Sequence, residues 1–170
     1  EWNKRSKEGF AKAISHFERA IELDPDFANP FAGLADTYGL LSSYNLEPAL
    51  EVMPKAKLNA EKAIELNPKL AEAFASLAWY QFIFEFDRKG AEENFDKAIK
   101  LNPNYATAYH WFGLMMNTSL ELDRSTVLLR KALELEPTSL IIPSNLALAY
   151  RLDGQLELAM ETCEIAFKVD

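Results

Sequence analysis

One short segment recurs along this chain and ends in proline almost every time. The segment AIELNP occupies residues 63–68. Near copies occupy residues 20–25, 98–103 and 132–137, and a partial copy occupies residues 166–170. The alanines that open the copies are Ala20, Ala63, Ala98, Ala132 and Ala166, at successive spacings of 43, 35, 34 and 34 residues. A fixed spacing in this range is typical of an array of small, similar units that stack on one another.

Each copy stands at the end of an amphipathic helical pattern. From Ala91 to Ile99 the apolar residues recur at i, i+4, i+7 and i+8, which places them on one face of a helix. Pro103 ends the pattern, because proline disfavours helical angles in the residue before it. The preceding segments, such as 71–84 and 106–119, are rich in alanine, leucine, methionine and aromatic residues. Each unit is therefore predicted to contain two helices.

We predict an all-α fold, a right-handed solenoid of antiparallel helix pairs without any β-sheet. The predicted helices lie at residues 8–23, 28–42, 51–66, 71–84, 88–101, 105–118, 122–135, 141–152 and 155–169. The predicted units are a partial repeat at 1–25 and fuller repeats at 26–68, 69–103, 104–137 and 138–170.

Three irregularities interrupt the period. The 43-residue spacing contains nine extra residues, which we assign to an extended inter-helix loop at 42–50, with or without a helical turn, that is either padding or a contact surface. Pro54 is then expected at or near the first turn of the next helix, and Pro143 near the start of its own helix. One extra residue in the segment FEFDRKG, residues 84–90, predicts a longer turn there.

The pattern resembles the tetratricopeptide repeat along essentially the whole chain. That family has a large residue, leucine, a small residue and tyrosine on the first helix, then alanine, an aromatic residue, alanine and proline on the second. The matching residues of the repeat at 69–103 are Phe74, Leu77, Ala78, Ala91, Phe95, Ala98 and Pro103. Two departures are Gln81, at a tyrosine position, and Ser125, at an alanine position.

The resemblance implies a non-catalytic module that binds a protein, a peptide or another domain of the same polypeptide. The wording of residues 98–154 also resembles repeats that follow a DNA-binding domain, such as a winged helix, or a nucleotide-cyclase domain in bacterial regulators. On that resemblance the chain is expected to be part of a larger cytoplasmic signalling or transcription-regulating protein. The alternative is a regulatory segment of a multidomain enzyme, such as a nucleotide cyclase or a protein kinase.

Composition argues against several other functions. The 18 basic and 26 acidic residues give a formal net charge of −8, which disfavours binding to nucleic acid or to anionic membranes. No glycine-rich phosphate loop and no nucleophile with an arranged base is present, so no catalytic residue is expected. The two histidines and the single cysteine are not spaced as metal ligands, so neither a metal site nor a cofactor is expected. His16 is expected to be a surface or half-buried helical residue, and Cys163 to stand at a position that packs inward.

The resemblance also places binding residues on the first helix of each repeat, where the family lines a concave face. Carried over to this chain, the binding candidates are Asn29, Asp36, Glu72, Trp79, Phe82, Thr107, His110, Leu114, Asn117 and Arg151. Well-known members hold a peptide carboxylate with basic residues and asparagines. Here the corresponding positions are Ala32, Asp36, Ser76, Thr107 and Trp111, so that carboxylate clamp is absent.

Aromatic residues are left as the expected anchors of this face. His110 is either a ligand contact or a packing residue, and Trp79 is either an anchor or part of the core. Trp111 is expected in the core. Asn117 also begins a glycosylation sequon, Asn-Thr-Ser, which we expect to be a chance occurrence.

The last helix is predicted to leave apolar residues uncovered. Leu156, Ala159, Cys163 and Phe167 fall at i, i+3, i+7 and i+11, which forms one stripe of a helix. The uncapped end of a repeat array exposes what a neighbouring repeat would bury. End-to-end self-association of the chain is therefore expected.

Overall fold

The computed structural model describes residues 6–167, with side chains described as far as Ile165. Within this range the fold is entirely helical, so the prediction of an all-α fold is confirmed. The elements are α1 (Lys7–Leu23), α2 (Ala28–Ser43), α3 (Ala49–Leu66), α4 (Ala71–Tyr80), a π-helical turn (Gln81–Glu85), α5 (Arg88–Leu101), α6 (Ala106–Thr118), α7 (Leu122–Leu135), α8 (Ile141–Leu152) and α9 (Leu156–Phe167). Residues 1–5 of the predicted partial repeat and residues 168–170 lie outside the described residues.

The repeated motif before each proline both ends one helix and begins the next. In the first two copies the residue before proline leaves the helix with φ of −144° at Asp24 and −140° at Asn67. The side-chain oxygens of Asp24 and Asn67 then accept hydrogen bonds from the backbone two residues later, at 3.2 and 3.0 Å. Asn102 repeats this turn at 3.1 Å. Such short polar side chains stabilise turns by bonding to their own backbone, so one motif supplies each of these three reversals.

The chain divides into two compact units, Glu1–Leu101 and Asn102–Asp170. In the first unit α2 packs on α1 and α3, and α4 packs on α2, α3 and α5. Its fully buried large side chains include Phe10, Met53 and Phe95. In the second unit α6 packs on α7, and α8 packs on α7 and α9. Within each unit the short connections make successive helices antiparallel neighbours, as predicted.

The predicted loop at 42–50 is shorter than expected. The helix α2 continues to Ser43, and α3 begins already at Ala49, so only residues 44–48 are non-helical. Pro48 precedes α3 with φ of −60°, a good helix start, so α3 begins two residues before the predicted position 51. Pro54 consequently lies deeper in α3 than the predicted first turn, whereas Pro143 lies near the start of α8 as expected.

The extra residue in the segment 84–90 widens a helix instead of lengthening a turn. It is absorbed in the π-helical turn Gln81–Glu85, which Phe86 ends with a φ of 57°. Gln81, at the position of the family's tyrosine, accepts a hydrogen bond from the Asn94 side chain at 2.8 Å. Glu85 forms a 2.7 Å ion pair with Lys57. Single π-helical turns of this kind often occur at functional sites.

The helices α6 and α7 of the second unit approach each other closely, and this explains why Ser125 stands at a position where the family has alanine. The Ser125 hydroxyl is fully buried and donates to the Gly113 carbonyl oxygen at 2.8 Å. A Cβ atom on Gly113 would lie 2.7 Å from Cγ of Leu129, which is too close for any real contact. The glycine therefore lets α6 and α7 come together, and the serine satisfies its buried hydroxyl across that contact.

Candidate functional site

In the unit Glu1–Leu101, the helices α2 and α4 contact each other along a line that we call the α2–α4 seam. Each of them is the first helix of its repeat. The seam is formed by Asp36, Gly39 and Ser43 from α2 and by Glu72, Ser76 and Trp79 from α4. Each set falls at spacings of three or four residues, which places its members on one face of their helix. The two sets contact each other through side-chain hydrogen bonds and the packing of one indole ring against α2.

A serine orients the carboxylate at one end of the seam. The Ser76 hydroxyl lies within hydrogen-bond distance of the Asp36 carboxylate. It also lies 2.9 Å from the Glu72 carbonyl oxygen, and it donates to one of these acceptors at a time. Asp36 and Glu72 are both half-buried. The seam therefore holds two half-buried acidic residues, and the carboxylate of Asp36 is oriented by a neighbouring serine.

Trp79 forms the other end of the seam. Its indole Nε1 donates to Ser43 Oγ at 3.1 Å, and Ser43 Oγ donates to the Gly39 carbonyl oxygen at 2.9 Å. A Cβ atom on Gly39 would lie 3.4 Å from Trp79 Cδ1, so the indole ring packs directly against this part of α2. The Phe82 ring lies 5.9 Å from the Trp79 ring, tilted by 52°. The ring of Trp79 is thus held in one orientation while remaining half-buried.

The sequence analysis missed Ser43 as a member of this site. Ser43 follows Asp36 by seven residues, which is two helical turns and the same face of α2. Its assignment to the loop at 42–50 removed it from consideration. The uninterrupted helical spacing from Asp36 through Gly39 was the signal that could have found it.

The remaining predicted binding residues are distributed differently from the expectation. Asn29 is exposed at the start of α2, and Phe82, Thr107 and Leu114 are half-buried. Arg151 is exposed on α8. His110 and Asn117 are only 7% and 4% exposed, so we do not place them at a binding surface. The expectation that Trp111 belongs to the core is correct, since its side chain is 4% exposed.

Two buried polar side chains of α6 differ in how they are satisfied. His110 Nε2 lies 2.8 Å from Asn145 Nδ2 of α8, which donates to it when the histidine carries its proton on Nδ1. Both polar atoms of the Asn117 side chain are buried and have no hydrogen-bond partner in residues 6–167. The same burial leaves the Asn117 sequon inaccessible to modification in the folded chain.

The last helix pair carries an apolar groove of about 670 Å³. Its lining residues are Ser144, Ala147, Leu148, Arg151, Leu156, Ala159, Met160, Cys163 and Glu164. Ala159 and Thr162 are the buried residues of α9 among those whose side chains are described, whereas Cys163 is exposed. The expectation that Cys163 packs inward is therefore wrong, because its side chain lines the open groove and not the contact between α8 and α9. The predicted stripe ends at Phe167, whose side chain lies outside the described residues.

No group of three or more His, Cys, Asp or Glu side chains in residues 6–167 is arranged to hold a metal ion. No helix among these residues combines the length and the apolar character that a membrane span requires. His16 is exposed on α1, as the sequence predicts.

The comparisons with known proteins agree on the fold. Residues 5–27 match the tetratricopeptide-repeat family model. None of the curated protein sequences matches the chain. Several solved structures are similar over nearly its full length, with identities below 25%. The chain therefore has the fold of tetratricopeptide-repeat proteins, an α-solenoid of helix pairs.

Three of these structures illustrate the likeness. The crystal structure of MamA has a TM-score of 0.65 and 24% identity, covering 98% of this chain and 92% of MamA. TTC0263, a thermophilic TPR protein of Thermus thermophilus, has a TM-score of 0.75 and 23% identity, covering 95% of this chain and 83% of its own. YrrB, a TPR protein with an unusual peptide-binding site, has a TM-score of 0.59 and 21% identity, covering 96% of this chain and 79% of YrrB.

Proposed function

We propose that this chain is a non-catalytic module that binds a protein or peptide segment, and that the α2–α4 seam is its contact surface. The observation that carries the proposal is Trp79, a half-buried indole held in place by Ser43 and Gly39. A preorganised aromatic side chain loses little conformational freedom when a partner covers it, which is why tryptophan is frequent among binding anchors. The peptide-binding site of YrrB, a protein of the same fold, is consistent with a peptide partner.

The resemblance in sequence supports a more specific proposal about the setting. In this proposal the chain is part of a larger cytoplasmic bacterial protein that acts in signalling or transcription regulation. Its partner is then either a separate protein or another domain of the same polypeptide. The alternative setting is a multidomain enzyme, such as a nucleotide cyclase or protein kinase, whose activity the repeats regulate.

The binding proposal is tested by replacing Trp79. A random 12-residue peptide library displayed on phage is selected on the immobilised chain, and the enriched peptides are synthesised and titrated calorimetrically. Trp79→Ala is expected to weaken their binding by about tenfold or more, since a tryptophan anchor contributes about 2 kcal/mol or more. Its melting temperature should fall much less than that of a variant with a truncated core aromatic residue.

The matched control is Leu50→Ala, which truncates an apolar side chain that is 81% exposed on α3 and makes none of the contacts described for the seam. It should leave peptide affinity unchanged. Failure of the library to enrich any peptide, or equal binding by the Trp79→Ala variant, would contradict the proposal.

A second proposal concerns self-association through the groove between α8 and α9. In the described chain α4 covers α3 and α8 covers α7, so each of these second helices receives the first helix of the next repeat. The exposed Leu156 and Met160 of α9 offer the same kind of surface to another copy of the chain. Met160→Glu should therefore shift the sedimentation of the concentrated chain toward monomer, whereas Leu50→Glu should not. Identical sedimentation of Met160→Glu and the unaltered chain would refute this contact.

A further inference from the structure

We propose that the segment bound at the α2–α4 seam is basic, with an arginine or lysine side chain lying over Trp79 and between the carboxylates of Asp36 and Glu72. This inference rests on the proposed function, since it names the chemistry of the partner at the same surface. The charges would be opposite to those of the family's carboxylate clamp, in which basic residues of the repeats hold an acidic group of the peptide. This chain lacks those basic residues.

The first helices of this unit carry acidic residues and no basic ones. The ranges Ala28–Ser43, Ala71–Tyr80 and Gln81–Glu85 contain no lysine or arginine. Their acidic residues are Asp36, Glu72 and Glu85. Glu85 is already paired with Lys57 at 2.7 Å, whereas Glu72 has no ion pair with any side chain in residues 6–167. Among the described residues the seam therefore holds at least one acidic side chain, Glu72, without a basic partner.

Two aromatic rings of α4 already have lysine side chains lying over them. Lys97 lies over the Phe74 ring at 4.0 Å, and Lys57 lies over the Tyr80 ring at 5.3 Å. Both lysines come from second helices, α5 and α3. Trp79 lies about 140° around α4 from Phe74, at 100° per residue, and so faces a different direction. Tryptophan binds cations more strongly than the other aromatic residues.

The spacing within the seam allows one cationic side chain to reach both the indole ring and a carboxylate. Ser76, which contacts the Asp36 carboxylate, is three residues before Trp79, or about one helical turn of roughly 5 Å. An arginine side chain has the reach for this, because its planar guanidinium can stack on a ring while its edge donates to a carboxylate. Burial against the indole would also strengthen the attraction to the carboxylates by excluding water.

The composition of the selected peptides gives the first test. Peptides enriched from the random library should contain arginine or lysine well above the frequency in the unselected library, and acidic residues below it. Enriched peptides that require Trp79 but show no basic preference would overturn this inference while leaving the proposed function intact. A library that yields no enriched peptide would remove both.

The second test compares two double variants that change the net charge of the chain by the same amount. Asp36→Asn with Glu72→Gln should weaken the best basic peptide at least tenfold, and the amide oxygen introduced at position 36 can still accept the Ser76 hydrogen bond. Glu93→Gln with Asp96→Asn, at exposed positions of α5, should change the affinity less than threefold. Equal losses in the two double variants would overturn the inference, because they would mean attraction to the overall charge. Glu72→Gln alone, at a residue without an ion pair among the described residues, repeats the test without disturbing Ser76.

Discussion

The variant Phe95→Ala is expected to unfold with a free energy about 3–5 kcal/mol lower than that of the unaltered chain. Phe95 is the aromatic residue of a second helix, α5, and its side chain is completely buried. Truncation removes the burial energy of the ring and leaves a cavity that the surrounding alanines, which include Ala91 and Ala98, are too small to fill. Urea denaturation followed by circular dichroism measures the loss.

The control is Phe86→Ala in the same unit. Phe86 is 85% exposed and follows the π-helical turn, so its truncation removes no core contact. Its free energy of unfolding should stay within about 0.5 kcal/mol of the original value. Equal effects of the two replacements would mean that the helices of this unit do not pack as described.

The second large effect is an expected increase in the free energy of unfolding. Asn117→Leu is expected to raise the free energy of unfolding by about 1–3 kcal/mol, because a buried polar group without a partner costs about that much. Both polar atoms of the Asn117 side chain are buried without a partner in residues 6–167, and leucine has a similar size. Thermal and urea denaturation of the variant measure the change.

The neighbouring helix α8 provides the comparison. Asn145→Leu removes the hydrogen bond to His110 Nε2 and leaves a buried ring nitrogen without that donor, so it should destabilise the chain by about 1–2 kcal/mol. If Asn117→Leu instead destabilises the chain by a similar amount, then the Asn117 amide has a bound water or another polar partner.

The positions of the helices could be predicted because their signals are local. Apolar periodicity, and the asparagine or aspartate before each of the first three motif prolines, act within a few residues of where they stand. These signals fix the ends of α1 and α5 closely. The solenoid of helix pairs follows from repetition of the same local pattern at a constant interval.

The irregular segments were harder because their outcome depends on tertiary contacts. Within 42–50 only residues 44–48 are non-helical, because α2 continues to Ser43 and α3, which packs on it, begins already at Ala49. The extra residue after Tyr80 is placed in a π-helical turn, where Gln81 meets Asn94. Both results depend on which helix lies alongside.

The binding candidates were predicted from the face of the helix on which they stand. The face alone does not determine how deeply a side chain is buried. Trp79 and Asn117 were both predicted on the binding face, of α4 and α6, yet the first is half-buried and the second is 4% exposed. The distance between neighbouring helices decides this, and that distance depends on residues such as Gly113 and Leu129 in the second unit. Ser43 escaped notice because the predicted loop ended α2 too early.

The most direct test of a binding seam at α2–α4 is the indole signal of Trp79 in a ¹⁵N–¹H spectrum of the labelled chain. The chain contains three tryptophans, and the Trp79 signal is assigned by its loss in Trp79→Phe. Addition of an enriched basic peptide should shift that signal, because a cation over the ring changes its surroundings and those of the hydrogen bond to Ser43. The signal of the buried Trp111 should remain in place. A Trp79 signal that does not move when the peptide saturates the chain would contradict the account.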